Sequence, residues 1–519
     1  MLRKWNKAAF LLVAASLLAS PATWIEPSIA HASINKSEVE IIPLPADLVQ
    51  VLKDLKEDFV PALGNLHTDA FTKEGSEYRV KLSDKKSKIT SGVSLDLTVD
   101  ENGNILALEL KDPDRDKTKH FDKKAVYQKA VSFIREQVGV DIAVSTAGYL
   151  ATQRGTATDQ LLVVPFYQTQ NDVPLSKKMG EVMLDANGQV VMFNQKKQKL
   201  PAGTEAADPK KAVAADQAMK EWEEALTMEL VYDQEIGKLV YVPENEPKID
   251  SLTGRIAPDL YVEVKEERKI KGAATKDVWK DQKSMEKMLG EDLHLTLNRL
   301  RYDFVNENDK KADVSIHEWK AVANESVKIT LDRKTRTPLR IEVEGQAEKE
   351  LETALTVEEG KRAAQQFVER YLHAKEQAFV LKTTSLAKQL PAWVDQEQGR
   401  LHPKYRYDFY PEVNGIPVKS AAYTIEVDAK KGKVVFAQVN DAVALPPIQV
   451  SKQGLIGEQS AKEAFLKQVK LRSSYWYAKA ANQTAELPQL VYEATEDSLS
   501  HAVDAHNGGL VDSWLAWEE

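Results

Sequence analysis

The 519-residue chain contains no cysteine. That absence removes disulfides, thiolate catalysis, Cys-based zinc sites and a lipoprotein anchor together. No apolar run reaches the roughly 20 residues that span a bilayer as a helix; the N-terminal one covers only residues 8–18. Catalytic motifs are missing too. H-E-x-x-H is absent, because His317-Glu318 is followed by Trp319-Lys320-Ala321. His67, His120, His294, His373, His402, His501 and His506 show no ligand spacing, so surface histidines account for them. The chain has no Gly-rich phosphate loop and no G-x-S-x-G elbow. Matches to S-x-x-K begin at Ser33, Ser83 and Ser284, but without the companion motifs of a penicillin-recognising enzyme. The acidic run Asp112-Pro113-Asp114-Arg115-Asp116 starts like a calcium loop. Lys117 and Lys123 then occupy the positions that need Gly and Glu. No metal, cofactor or catalytic residue is therefore expected.

What the sequence does have begins at its N-terminus. Arg3, Lys4 and Lys7 precede the apolar run, and Ala30-His31-Ala32 offers a small-x-small cleavage site. These are the parts of a secretory signal over residues 1–32, cleaved after Ala32; retention as an anchor is the alternative. The expected location is extracellular or wall-associated, with no membrane span after cleavage. A long exported chain without cysteine further suggests a Gram-positive bacterium. Cleavage removes three cationic residues and one acidic residue, taking the formal charge from −9 to −11. Such a surface is poorly suited to nucleic acid or anionic lipid.

One pattern of elements then occurs twice. Residues 91–110 alternate in polarity around Asn102-Gly103, a hairpin signal. A helix is predicted over about 123–138, capped by Asp122, with Val126, Ala130, Phe133, Ile134 and Val138 on one face. Strands at 160–168 and 180–194 follow, then a helix from Asp208-Pro209 to about Leu226, and strands near Val231 and Val240. The second half replays this with strands over 325–343, a helix opened by a Thr356–Glu359 capping box, and strands at 404–410 and 421–439. A helix over about 458–470 and a strand at 489–493 complete it. The offset between halves is about 234 at the first hairpins and 254 at the last turns, as duplication with loop insertions produces. The polar stretch 266–313, with a helix near 277–289, reads as a decorated linker.

Two passages resemble known modules. One is YRYDFYPEVNGIPVKSAAYTIEVDAKKGKVVFAQVN at 405–440, with a weaker partner at 163–194. The other, at 456–512, joins GEQSAKEAFLKQV to LVYEA and VDAHNGGLVD and is similar to the PepSY domain. The strand pair around Asn414-Gly415-Ile416-Pro417-Val418 resembles the propeptide modules of thermolysin-type proteases, without a peptidase domain following it. Duplication, export and length together resemble the YcdB/YcdC repeat family of secreted Bacillus-type proteins. The resemblance implies repeat units at 33–257 and 258–519, the second ending in a PepSY-like segment at 456–512. It implies an α+β fold of antiparallel sheets packed with helices, PepSY- or cystatin-like. It also implies a peptidase or a cell-wall component as partner, with Tyr405, Tyr407, Asn414 and Ile416 marking strands that could be added to a protease cleft.

Three residue groups invite sharper readings. The aspartates Asp100, Asp185, Asp250, Asp428 and Asp504 each precede a glycine three or four residues on, which suits turn formation better than a repeated active site. Trp393 and the Tyr475-Trp476-Tyr477 cluster suit core packing better than a ligand groove. Acidic pairs such as Glu348 and Glu352 suit a wet helix face. The expected function is a non-enzymatic binding protein that modulates a peptidase. The alternatives are a wall-polymer hydrolase with an unrecognised carboxylate pair and a structural envelope protein.

Overall fold

The computed structural model describes residues 46–512 apart from 61–65, 85–91, 114, 116–121, 140, 146–147, 153–159, 197–205, 274–275, 294, 296, 298–299, 310–311, 321–325, 345–350, 352, 374, 388–403, 441–450, 481–482 and 486. The signal segment with Ala30 and Ala32, and Trp393, lie outside the described residues. The chain divides into two compact units: Met1–Tyr167 with Lys178–Gln198, and Gln168–Lys177 with Lys199–Glu519. Both are α+β, with antiparallel sheets carrying most of the structure. The expected repeat boundary at 257 concerns sequence duplication and is a separate matter from this division.

In the first unit α1 (Ala46–Asp54) precedes β1 (His67–Glu74), β2 (Glu77–Ser83), β3 (Ser94–Asp100) and β4 (Ile105–Lys111). Then come α2 (Lys123–Val138), β5 (Ile142–Val144), β6 (Tyr149–Thr152) and β7 (Gln160–Gln170). The last three residues of β7 and the short β8 (Val173–Pro174) belong to the second unit. β9 (Gly180–Leu184) and β10 (Val190–Gln195) complete the first. The sheet order is β1-β2-β3-β4-β10-β9-β7-β5, with β6 also on β7. Alternation explains β3, which buries Leu95, Leu97 and Val99 and turns the residues between them outward. Asp122 caps α2 by accepting from the Ala125 N–H at 3.1 Å, and Val126, Ala130, Phe133 and Ile134 form the buried face. Phe133 meets Phe59 and Phe193 edge-to-face at 4.9 and 5.1 Å between centroids. Each such ring contributes about 1.5–3 kcal/mol by burial.

The second unit begins with α3 (Ala215–Ala225), β11 (Met228–Asp233), β12 (Lys238–Pro243), β13 (Ile249–Asp250) and β14 (Tyr261–Ile270). α4 (Gln282–Lys287), β15 (Arg301–Asp309), β16 (Ala312–Lys320), β17 (Ser326–Asp332), β18 (Pro338–Glu344) and α5 (Val357–Phe367) follow. Next are β19 (Gln377–Leu386), β20 (Lys404–Val413), β21 (Ile416–Pro417), β22 (Tyr423–Asp428) and β23 (Lys433–Val439). α6 (Glu458–Leu466), β24 (Leu471–Trp476), β25 (Lys479–Ala480), β26 (Gln483–Thr484) and β27 (Gln489–Ala494) lead to α7 (Glu496–Leu499), β28 (His501–Asp504) and β29 (Leu510–Asp512). The large sheet runs β14-β19-β20-β22-β23-β18-β17-β16-β15. Strands β15 to β18 and then β23, β22 and β20 take the places held in the first unit by β1 to β4, β10, β9 and β7. Two smaller sheets, β11-β12-β28-β29 and β13-β27-β24, form a second layer system with α3 and α6 over a core that includes Trp222 and Phe465.

Two expectations need correction. The stretch 266–313 is no linker: β14 pairs with β19 along ten residues, and Trp279, Met285, Leu289 and Leu295 enter the main core. Its apolar residues are too dispersed to show a period. The helix expected from Asp208 is only a 3₁₀ turn at Pro209–Lys211; Ala212 and Ala214 are extended, and α3 starts at Ala215.

Candidate interaction surface

Two hairpins of the second unit carry an extended segment beyond the tip that lies against a neighbouring strand. After β7, Asn171 and Asp172 adopt left-handed backbone (φ 50° and 63°); after β20, Asn414 and Gly415 do the same (φ 52° and 71°). These are residue types that tolerate such a turn. Beyond the first tip Val173 and Leu175 are buried with Tyr475 and Leu490. Leu175 bridges Tyr475 in parallel, the Ser176 N–H donates to the Tyr475 carbonyl at 2.9 Å, and the Ser176 hydroxyl donates to Glu493 at 2.5 Å. Beyond the second tip Ile416 and Val418 enter the core around Trp222. Val418 bridges Tyr232 in parallel, and the Lys419 N–H donates to the Tyr232 carbonyl at 2.9 Å. The Lys419 ammonium then meets Asp233 at 2.9 Å, both groups nearly out of solvent. In each case an apolar-Pro-apolar segment lies beside an edge strand, β24 in one and β11 in the other.

This arrangement corrects the expectation that Tyr405, Tyr407 and Ile416 present a strand to a partner. β20 is hydrogen-bonded on one side to β19 and on the other to β22. The Tyr405 and Tyr407 hydroxyls donate to the carbonyls of Leu355 (3.0 Å) and Val357 (2.7 Å) at the entry to α5. Gly360 sits against both rings, where a Cβ would stand 2.5 Å from the Tyr407 hydroxyl oxygen. Ile416 is consumed internally, and only Asn414 lies at the hairpin turn itself.

Several chemistry-bearing side chains among the described residues are committed to structure, while Asp114, Asp116, His120, His294, Glu348, Glu352 and His402 lie outside those residues. Asp100, Asp185, Asp250, Asp428 and Asp504 each accept N–H groups of their own turn. Asp233 and Asp332 do so too, and the sequence reading missed both. For Asp332 the reason is plain: Arg336 (φ 58°) stands where glycine would have marked the turn. His317 and His373 are buried; Nδ1 of each bonds a tyrosine hydroxyl, Tyr302 at 2.8 Å and Tyr423 at 2.9 Å. Burial, with Arg336 adding to it, pushes His317 down to about 4, so it is a neutral core residue. Tyr475 donates to the Ala207 carbonyl at 2.6 Å, and Trp476 lies under the Lys248 ammonium at 5.4 Å. The aromatic cluster is thus packing. Among the described residues no group of three or more acidic or imidazole side chains could hold a metal, and no helix is long and apolar enough to cross a membrane.

One carboxyl stands apart. Burial raises Glu246 to about 7, Lys248 opposing and Glu493 and Glu496 adding to the effect. Glu493 and Glu496 themselves share Arg472 at 3.0 and 2.9 Å. The folded state keeps Glu246 protonated where the unfolded chain, near its ordinary 4.5, has ionised. Stability therefore falls as pH rises from about 4.5 to about 7 and then levels off. Glu246→Gln removes that loss. Because the side chain is half-buried, water recovers part of it, leaving about 1–2 kcal/mol. Thermal melts should show E246Q more stable than the parent at pH 8 and equal to it at pH 4; equal melting at both would contradict the assignment.

No curated protein matches the chain. Among solved structures it is similar to the Bacillus megaterium YpeB C-terminal domain, at 15% identity over 40% of this chain and 94% of that one, with a TM-score of 0.27. It is also similar to a copper-containing benzylamine oxidase from Hansenula polymorpha, at 8% identity over 67% and 72%, with a TM-score of 0.13. Neither score supports a functional transfer. The family model of the YcdB, YcdC repeated domain matches residues 278–436, which hold the large sheet of the second unit apart from β14, from the turn before α4 into β23. Residues 278–436 of this chain are thus similar to the YcdB, YcdC repeated domain.

Proposed function

We propose that this chain is a non-enzymatic, exported or wall-associated binding protein of PepSY- or cystatin-like modules, and that its partner is an extracellular peptidase. The observation that carries the reading is the repeated docking of an apolar-Pro-apolar hairpin segment beside β24 and beside β11. The chain joins its own parts by setting extended segments against sheet edges, which is how a peptidase-directed inhibitor engages its target. Among the described residues, meanwhile, the turn aspartates, Asp233 and the buried His317 and His373 serve turns, an ion pair and core hydrogen bonds.

The test is affinity capture with residues 33–519 from culture fluid and wall fractions of the source bacterium, read by mass spectrometry, followed by a peptide-cleavage assay on any peptidase recovered. Specific recovery of a peptidase whose cleavage rate changes at least tenfold on binding is the expected result. Recovery of wall polymer alone overturns it. A second reading, a wall-polymer hydrolase, is favoured by one observation, the carboxyl of Glu246, raised by burial with Glu493 and Glu496 adding to the effect. Release of reducing ends from wall polymer, abolished by E246Q, would establish it.

A further inference from the structure

The smaller layer of the second unit contains one arrangement twice. The first copy is α3, β11, β12 and β13; the second is α6, β24, β27 and β28. Each lends its third strand to the other. β12 pairs with β28, Val240 facing Asp504 and Tyr241 facing Val503. β27 pairs with β13, Val491 facing Asp250 and Tyr492 facing Ile249. The two sheets are therefore β11-β12-β28 and β24-β27-β13, with β29 added to the first.

The bonds that close the layer match in the same way. The Tyr241 hydroxyl donates to the Ile456 carbonyl and the Tyr492 hydroxyl to the Val213 carbonyl, each at 2.8 Å. The Ala505 N–H donates to the Leu239 carbonyl at 3.0 Å, and the Ser251 N–H to the Leu490 carbonyl at 2.9 Å. The hairpin segments follow suit: Leu175 from the first half lies on β24, and Val418 from the second lies on β11. Each of these bonds and bridges joins a residue before 258 to one after it. An offset of 243 residues relates Leu175 to Val418, Val213 to Ile456, Tyr232 to Tyr475 and Trp222 to Phe465. Ala218, Trp222 and Ile249 share one core with their counterparts Ala461, Phe465 and Val503.

A contact in which each of two like modules gives the other what it receives is the geometry of an isologous dimer, here with both halves in one chain. We infer that this layer is an internal two-fold dimer formed by strand exchange, so that the surface of each module has a module of its own kind as its partner. The two repeats then hold each other without the chain that joins them. This pairing is independent of the peptidase reading above.

Cutting that joining chain is the test. A specific protease site inserted between the exposed Pro258 and Asp259 of the full mature chain allows the folded protein to be nicked there. The two fragments should elute together at about 1 μM, as a specific interface of ordinary strength allows. Their unfolding midpoint should rise with protein concentration, as a two-chain assembly requires, while that of the uncut chain stays fixed. Tyr241→Phe and Tyr492→Phe remove the same bond from the two halves. Each should raise the dissociation constant about tenfold, the two agreeing to within about threefold. Tyr405→Phe, whose partner Leu355 lies on the same fragment, should leave it unchanged. Fragments that separate at that concentration overturn the proposal, as do tyrosine variants with no effect or with unequal effects. If either variant fails to fold, hydrogen exchange of the uncut chain decides. The Ser251 and Ala505 amides should be equally protected, and rates about tenfold apart would contradict the exchange.

Discussion

Lys419→Met is expected to cost the second unit about 3–5 kcal/mol, the range for breaking a buried ion pair from one side. Methionine retains most of the apolar stem, so packing is nearly conserved and the loss is electrostatic. It leaves the Asp233 carboxylate buried, with the N–H groups of Glu235 (3.0 Å) and Ile236 (3.3 Å) still directed at it. Those donors hold the turn after β11 but carry no full charge. The double variant Lys419→Met, Asp233→Asn should recover more than half of the loss, since a neutral amide can keep a turn contact without a buried carboxylate charge. Urea denaturation followed by tryptophan fluorescence would measure both, Trp222 lying in the core that the hairpin completes. A loss below 1 kcal/mol for the single variant would show that Ile416 and Val418 hold the hairpin by packing alone.

Gly180→Ala should be comparably severe in the first unit, for a steric reason. At β9 an added Cβ would lie 2.1 Å from the Asn194 carbonyl oxygen and 2.6 Å from the Phe166 ring. The ring could turn; the carbonyl belongs to β10, paired with β9 on one side and β4 on the other, and cannot yield alone. Relief requires the β9–β10 ladder to separate, for about 3 kcal/mol or more. By contrast Gly290→Ala meets nothing closer than 4.0 Å and should be neutral or gain up to about 1 kcal/mol. Parallel denaturation curves that fail to separate these two glycines would overturn the packing described around Phe166.

Much of the fold was legible because its signals are local. The capping box at Thr356 and Glu359 forms as read, with hydrogen bonds in both directions. The helix over 123–138 has the expected cap and buried face, apart from the partly buried Val138, and the Asp turns organise the backbone that follows them. The parts that escaped are those fixed by distant neighbours. β14 reads as polar because an edge strand buries little, and its pairing with β19 joins residues more than a hundred positions apart. The segment at 414–418 was recognisable as an extended recognition strand. What it recognises is β11 of the same chain, and no periodicity encodes a target. Glu246 gave no signal either, because its perturbation arises from burial in the folded chain, with Glu493 and Glu496 adding to it across the fold.

The first hairpin tip sets an order of events in time. Ser176 bonds Glu493, a residue 317 positions later, and Asn171 meets Tyr475 across 304. At about 5–20 residues per second, the ribosome needs roughly 15–60 s to supply those partners. Through that interval Val173 and Leu175 have no β24 to lie against, so this unit cannot finish folding before its last strands have been made.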